Sequence, residues 1–66
     1  MEVLLNSKRI TISESNSLLE VLETLAIPLQ TTAVAVNATV IPKSDWQKTV
    51  LNTGDKIDMF QAIAGG

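Results

Sequence analysis

The order of sequence patterns predicts an α+β fold, in which a mixed sheet of four to five strands packs against one main helix. Alternating apolar and polar residues, which are typical of strands, occur near both ends of the 66-residue chain. A stretch in the first half places apolar residues at helical spacing instead, and a continuous apolar run follows it. Because a single helix covers only one face of a sheet, these elements are expected to form two layers.

The first two strands are predicted to form a hairpin. Residues 1–5 indicate a strand, and Asn6-Ser7-Lys8 provides the turn residues after it. Residues 9–13 then alternate between apolar and polar side chains, with both isoleucines on one side. Two such runs joined by a short polar segment are typical of antiparallel neighbours.

A helix is predicted to begin at Ser17 and to end near Ala26, after about three turns. Ser17 and Glu20 have the spacing of a capping box, in which each side chain accepts a hydrogen bond from the backbone of the other residue. The residues that follow at helical period are Leu18, Leu22 and Leu25. Pro28 disfavours helical geometry at Ile27, so the helix cannot extend further.

The second half of the chain is predicted to supply the remaining strands. Residues 32–37 hold the continuous apolar run, which suits a central or fully covered strand. Residues 40–42 indicate a short edge strand, because the proline cannot donate to a ladder. A single helical turn capped by Ser44 and a short strand at residues 49–51 are expected next. Residues 56–60 alternate again after a polar turn.

Composition narrows the chemistry that the chain could perform. It has no cysteine and no histidine, which excludes the usual zinc ligands, a thiol nucleophile and a histidine base. Five basic residues against seven acidic ones give no electrostatic footprint for nucleic acid. No apolar run is long enough for a membrane span, and no signal pattern precedes the first strand. We therefore expect a cytoplasmic protein that binds no metal, nucleic acid or membrane.

The last residues, Ala64-Gly65-Gly66, form the most informative short segment. Glycine has no Cβ, so such an end fits into a slot that other residues would block, and its carboxyl group is unhindered. A carboxylate is a poor electrophile that another protein must activate. We expect a folded domain at residues 1–61 and a flexible tail at 62–66, with a reach of about 17 Å when extended. The same dipeptide also fits an incidental terminus.

Several short segments of the second half are informative when taken together. They are Ala35-Val36-Asn37, Val40-Ile41-Pro42, Trp46, Gly54-Asp55-Lys56-Ile57 and the residues from Phe60 to Gly66. Jointly they resemble the ThiS family, the small sulfur carriers of thiamin thiazole biosynthesis. The resemblance implies a β-grasp, or ubiquitin-like, roll.

The resemblance also implies a chemistry for Gly66. An E1-like adenylyltransferase would use ATP to adenylate its carboxylate, and a sulfur-donating enzyme would convert the product to a thiocarboxylate. That group would deliver sulfur to thiazole synthase, while Ala64 and Gly65 thread the tail into each enzyme. The carrier would catalyse nothing, bind no cofactor itself and be a monomer when free.

Leu4 and Phe60 are candidates for a surface that partners recognise. Alternation places both on the sheet face away from the helix, and in a β-grasp sheet the first and last strands are neighbours. We therefore expect the two side chains to lie close together and exposed, beside Ala33 and Ala35, and we assign Ile63 to the same patch. Exposed apolar patches mark partner surfaces, although single exposed apolar residues are common.

Three other residues are assigned structural roles. Trp46 is expected to close one end of the core rather than to anchor a partner. Asp55 lies in a turn and Asp58 at an outward strand position, so neither is expected to act in acid–base catalysis. The functional alternatives left open are the small subunit of molybdopterin synthase, a protein modifier that joins Gly66 to lysines, and an interaction domain whose glycines are incidental.

Overall fold

The computed structural model describes residues 1–13 and 17–61. The expected tail at residues 62–66 lies outside the described residues. The strands are β1 (Glu2–Leu5), β2 (Lys8–Thr11), β3 (Thr32–Val36), β4 (Thr39–Ile41) and β5 (Lys56–Gln61), and the helix α1 spans Leu18–Thr24. Short 3-10 turns occur at Leu29–Thr31 and Lys43–Asp45.

The strands form one mixed sheet in the order β2-β1-β5-β3-β4. The hairpin of β1 and β2 is antiparallel, β5 runs parallel to β1, and β3 pairs antiparallel with both β5 and β4. The first and last strands are therefore neighbours, as predicted, and β4 is an edge strand. This is the α+β architecture of a β-grasp roll, with β5 at the centre of the sheet.

Two tight turns, whose central residues have left-handed backbone conformations, connect β1 to β2 and β3 to β4. Asn6 and Ser7 have φ angles of 48° and 69°, and Asn37 and Ala38 have 51° and 70°. Two consecutive residues with positive φ match the right-handed twist of the strands that they join. The first turn is one residue shorter than predicted, because Lys8 already belongs to β2.

The capping box at the start of α1 is present as predicted. The Ser17 hydroxyl accepts from the Glu20 N–H at 3.2 Å, and the Glu20 carboxylate accepts from the Ser17 N–H at 3.4 Å. The helix is shorter than the three turns predicted, since it has seven residues and ends at Thr24. Its end precedes Pro28 because the chain turns earlier, at Ala26.

A Schellman motif ends the helix. Ala26 has a φ of 57°, its N–H donates to the Glu23 carbonyl at 3.0 Å, and the Ile27 N–H donates to the Leu22 carbonyl at 3.0 Å. These two bonds satisfy carbonyls that would otherwise be left open at a helix end. An alanine occupies the position that usually holds glycine, so this end of the helix could not be predicted from the sequence.

Two predictions for the segment before β5 were wrong. The 3-10 turn at Lys43–Asp45 follows Pro42 and has no side-chain cap, so Ser44 does not cap it. Residues 49–51 form no strand, and Val50 makes only an isolated bridge with Ser17. This segment passes the start of α1, where the Leu18 N–H donates to the Thr49 carbonyl at 2.7 Å, instead of lying along a sheet edge.

The core lies between α1 and one face of the sheet. Its fully buried side chains are Val3, Leu18, Val21, Leu22, Val34, Trp46, Leu51 and Ile57. Trp46 is 1% exposed, and its indole N–H donates to the Ile41 carbonyl at 2.9 Å, which confirms the predicted core role. Met59 packs against this cluster from β5.

Candidate functional site

The segment that leads towards Gly66 begins at the end of the central strand. β5 ends at Gln61, which lies opposite Thr32 at the start of β3. The predicted tail residues Ile63, Ala64, Gly65 and Gly66 lie outside the described residues. The structure therefore places Gln61, the residue that precedes the predicted tail.

The end of β5 is held from both sides. On one side, five residue pairs align it with β3. On the other, the Asn6 N–H donates to the Ile57 carbonyl at 2.8 Å, and the Asn6 side-chain oxygen accepts from the Met59 N–H at 2.8 Å. Asn6 thus continues the pairing of β5 for one step after β1 has ended.

The start of β5 is held by a polar cluster around Asp55. One carboxylate oxygen of Asp55 accepts from the Asn37 amide at 3.0 Å, and the other accepts from the Asn52 N–H at 2.8 Å. The Asn37 oxygen in turn accepts from the Lys56 N–H at 3.0 Å. These bonds join the turn before β5 to the β3–β4 turn, which confirms the structural role expected for Asp55.

The sheet face opposite α1 is here called the outer face. The strand register puts Phe60 opposite Ala33, and Ala35 opposite both Asp58 and Val40. Phe60 is 59% exposed and Val40 is 69% exposed, whereas Ala35 is buried between their strands. We call Phe60, Ala33, Ala35 and Val40 the outer-face patch, and Phe60 directly precedes Gln61 at the end of β5.

The predicted proximity of Leu4 to Phe60 is wrong. Both lie on the outer face, but Leu4 is opposite Lys56, four residues before Phe60. At about 3.3 Å per strand residue the two positions are roughly 13 Å apart along the sheet. Leu4 is also only half-exposed, so it does not form one patch with Phe60.

Val40, which the sequence did not mark as part of this surface, joins the outer-face patch through its pairing with Ala35. Ile41 pairs with Val34 of the core face, so the alternation of side chains turns Val40 outwards. Alternation along the strand predicted at residues 40–42 is enough to indicate this outward position. What was missing was the register between β3 and β4, which brings Val40 next to Ala35.

Charged side chains occupy the other half of the outer face. Arg9 lies 3.8 Å from Glu2 in an exposed pair, and Leu4 sits between Arg9 and Lys56 in the register. Asp58 is half-buried, between Lys56 and Phe60 along β5. The outer face therefore has a charged half on β1 and β2 and an apolar half on β3, β4 and the end of β5.

Two further findings concern the described residues as a whole. No group of three or more acidic side chains in residues 1–13 and 17–61 is arranged to hold a metal ion. The same residues include no helix that is long and apolar enough to cross a membrane.

Comparisons with known proteins agree over the whole length of the chain. The model of the ThiS family matches residues 2–66. The sulfur carrier protein ThiS of Escherichia coli (strain K12) is 32% identical over 66 residues, which cover all of both chains. The likeness thus includes the residues that the structure leaves undescribed.

Solved structures show the same fold. The crystal structure of the thiamine biosynthesis protein (ThiS) from Geobacter metallireducens matches with a TM-score of 0.89 and 25% identity, covering all of both chains. A solution NMR structure of a thiamine biosynthesis protein from Geobacter metallireducens matches with a TM-score of 0.81 and 25% identity, covering all of this chain and 88% of the other. Together with the E. coli relative, these matches favour the thiamine group over the molybdopterin and protein-modifier alternatives.

Proposed function

The chain belongs to the ThiS family and is a sulfur carrier of thiamine biosynthesis, and from this premise we propose that the Gly66 carboxylate carries the sulfur. The observation that supports this assignment most directly is the family match, which runs through residue 66. The curated relative is named as a carrier, so this chain is a carrier and not a catalyst. Its chemistry takes place in partner enzymes.

The proposed reaction has two steps at one carbon atom. A Gly66 carboxylate oxygen attacks the α-phosphorus of ATP in an E1-like adenylyltransferase, and pyrophosphate leaves. The sulfur of a sulfide-level donor, supplied by a sulfur-donating enzyme, then attacks the acyl carbon. The bond between that carbon and the phosphate-linked oxygen breaks, and AMP departs with the oxygen. The product is a thiocarboxylate, from which a thiazole synthase takes the sulfur in the cytoplasm.

This role requires that the folded domain stays outside the active site of the partner enzyme while the C-terminal residues enter it. Five residues, 62–66, follow Gln61, and they can span at most about 17 Å. Ala64 and Gly65 have little or no side chain, so a narrow channel would admit them. The carrier binds no cofactor of its own in this scheme, because ATP and the sulfur donor belong to its partners.

A carrier meets partner enzymes, and we propose that the outer-face patch is where the E1-like enzyme docks. Phe60 directly precedes Gln61, so an enzyme that covers Phe60 is already beside the start of the tail. Val40 and Ala33 extend the apolar surface across two more strands. Aromatic side chains at the centre of an apolar patch are frequent binding hot spots. The contact predicted for Ile63 belongs to the same proposal, whereas Leu4 lies outside the patch.

Intact-mass measurement tests the chemistry. The purified chain is incubated with an E1-like adenylyltransferase, ATP and a sulfide source, and fragmentation then locates any change. We expect a mass gain equal to the replacement of one oxygen by one sulfur, confined to Gly66 and absent without ATP. A variant that lacks Gly66 is the matched control. Sulfur found elsewhere in the chain, or gained equally by the control, would contradict the assignment.

Growth assays test the pathway. A strain that lacks its own carrier is supplied with this chain, or with the variant that lacks Gly66, in medium with and without thiazole. We expect the full chain alone to restore growth without thiazole. Rescue of molybdoenzyme activity but not of thiazole synthesis would instead favour the molybdopterin alternative.

A further inference from the structure

Three hydrogen bonds follow one another along the edge of β5 that faces β1, starting at the residue just before the strand. The Leu4 N–H donates to the Asp55 carbonyl at 2.9 Å, and the Asn6 N–H donates to the Ile57 carbonyl at 2.8 Å. At the next step the Met59 N–H donates to the side-chain oxygen of Asn6 at 2.8 Å. At this point β1 has ended, and the chain turns away into β2.

Two backbone groups of β5 lie beyond that point on the same edge. Polar groups of every second residue in a strand point the same way, so the Met59 carbonyl and the Gln61 N–H follow the direction of the Met59 N–H. Within residues 1–13 and 17–61, neither group has a hydrogen-bond partner. The opposite edge is occupied, since β3 pairs with β5 as far as Gln61.

A depression adjoins this open edge on the α1 side of the sheet. It has a volume of about 330 Å³ and is lined by Asn6, Ile27, Pro28, Thr32, Met59 and Gln61. A strand added at this edge would point every second side chain towards the helix layer, and each of those side chains would need space there. The depression supplies such a place next to the two open backbone groups.

We propose that an extended segment of the E1-like adenylyltransferase pairs with β5 at Met59 and Gln61. The segment would lie in line with β1, beyond the Asn6-Ser7 turn. Backbone bonds would give affinity and the depression would select one side chain, as in other cases of strand addition. The choice of partner rests on the proposed function, because the open edge is contiguous with the residues that the activating enzyme must receive.

Strand pairing at this place would set the position of the reacting carboxylate. Gln61 is the last described residue of β5, and five residues separate its backbone from the end of Gly66. A strand cannot slip by one residue without turning every side chain to the other face. Pairing at Gln61 therefore fixes the point from which the remaining chain, about 17 Å long when extended, runs to the adenylation site.

The first experiment compares Gln61→Pro with Gln61→Ala. Proline has no N–H, and the N–H of Gln61 is not used by β3, so the substitution removes the edge donor and leaves the β3 pairing in place. Alanine removes the side chain and keeps the donor. We expect Gln61→Pro to raise the Kd for the adenylyltransferase, measured without ATP, by about three- to tenfold. Gln61→Ala should stay within twofold of the unmodified chain, and equal affinities for the two variants would overturn the proposal.

Amide hydrogen exchange on the unmodified chain provides a test that needs no variant. The Gln61 amide should exchange rapidly in the free protein and at least tenfold more slowly in the saturated complex. The Phe60 amide, which faces β3, is the internal control and should already be slow. Unchanged exchange at Gln61 in the complex would overturn the proposal. So would slow exchange in the free protein, because another part of the chain or a second copy would then occupy the edge.

The proposed strand pairing and the proposed chemistry can be refuted independently of each other. Binding without ATP and exchange at Gln61 report on strand pairing alone, whereas sulfur at Gly66 reports on the reaction. A chain that gains sulfur normally but shows no protection at Gln61 would refute the pairing and leave the carrier chemistry intact. Protection without any sulfur at Gly66 would support the pairing with the enzyme and refute the chemistry.

Discussion

Replacing Phe60 by aspartate should weaken docking to the activating enzyme while the chain stays folded. Phe60 is 59% exposed in the free protein. An aromatic side chain buries about 150–250 Å² in all, so a partner that covers Phe60 would remove about 90–150 Å² more from water. At about 25 cal/mol per Å², this is about 2–4 kcal/mol, on the order of a hundredfold in Kd.

The fold should tolerate the same change. The part of Phe60 that is already buried accounts for about 2 kcal/mol on the same scale. A chain of this length has roughly 3–10 kcal/mol of stability. We therefore expect Phe60→Asp to lower the midpoint of thermal unfolding, followed by circular dichroism, without unfolding the protein at assay temperature.

Val50→Asp is the matched control for this prediction. Val50 is 61% exposed, almost the same as Phe60, but it lies outside the sheet and next to the start of α1. Affinity is measured by titration calorimetry and adenylation by the rate of pyrophosphate release. If both aspartate variants bind and react like the unmodified chain, the outer-face patch is not the docking surface.

Three further predictions concern stability, each measured by chemical denaturation. Ser17→Ala should lower the free energy of unfolding by about 1 kcal/mol, because the helix loses its cap. Ser44→Ala, at a turn with no side-chain cap, should lower it by less than about 0.5 kcal/mol. Equal losses for the two variants would contradict the observed capping. Trp46→Phe should cost about 2–3 kcal/mol, because it leaves the Ile41 carbonyl without its donor and opens space in the core; a cost below about 1 kcal/mol would contradict that account. Ala26→Gly should stabilise the chain by about 0.5 kcal/mol, since glycine adopts the positive φ of this position without strain; destabilisation would show that the strain is negligible.

Local chemistry accounts for the parts of the fold that could be predicted from the sequence. The capping box needs only Ser17 and Glu20, three residues apart on one helix, and both bonds formed. The outward position of Phe60 follows from alternation within β5 alone. The turn position of Asp55 was predicted correctly because its carboxylate accepts from the Asn52 N–H, three residues earlier. These features are determined by near neighbours in the chain, whereas the bond between Asp55 and Asn37, 18 residues apart, is not.

The wrong predictions concern contacts between segments that are far apart in the sequence. Leu4 and Phe60 were assigned to the correct face, but their separation depends on the register of β1 against β5, which neither strand encodes alone. Residues 49–51 have the composition of a strand, but they contact Ser17 and Leu18 at the start of α1 instead of pairing with the sheet. The stop of α1 at Ala26 was missed because an alanine with positive φ leaves no mark in the sequence.

The hydrogen bond between the Met59 N–H and the Asn6 side chain links the β1–β2 hairpin to the last residues of β5. Asn6 has a positive φ, which asparagine tolerates better than most residues, and this turn brings its oxygen to the Met59 N–H. The same residue thus ends β1, starts the turn and supports β5 one step beyond its backbone partner. Because β5 is also paired with β3 as far as Gln61, the outer-face patch and Gln61 belong to the same sheet. An enzyme that docked on that sheet, as proposed, would therefore fix the point after which the last five residues begin, and only those residues would remain to be guided to the reaction.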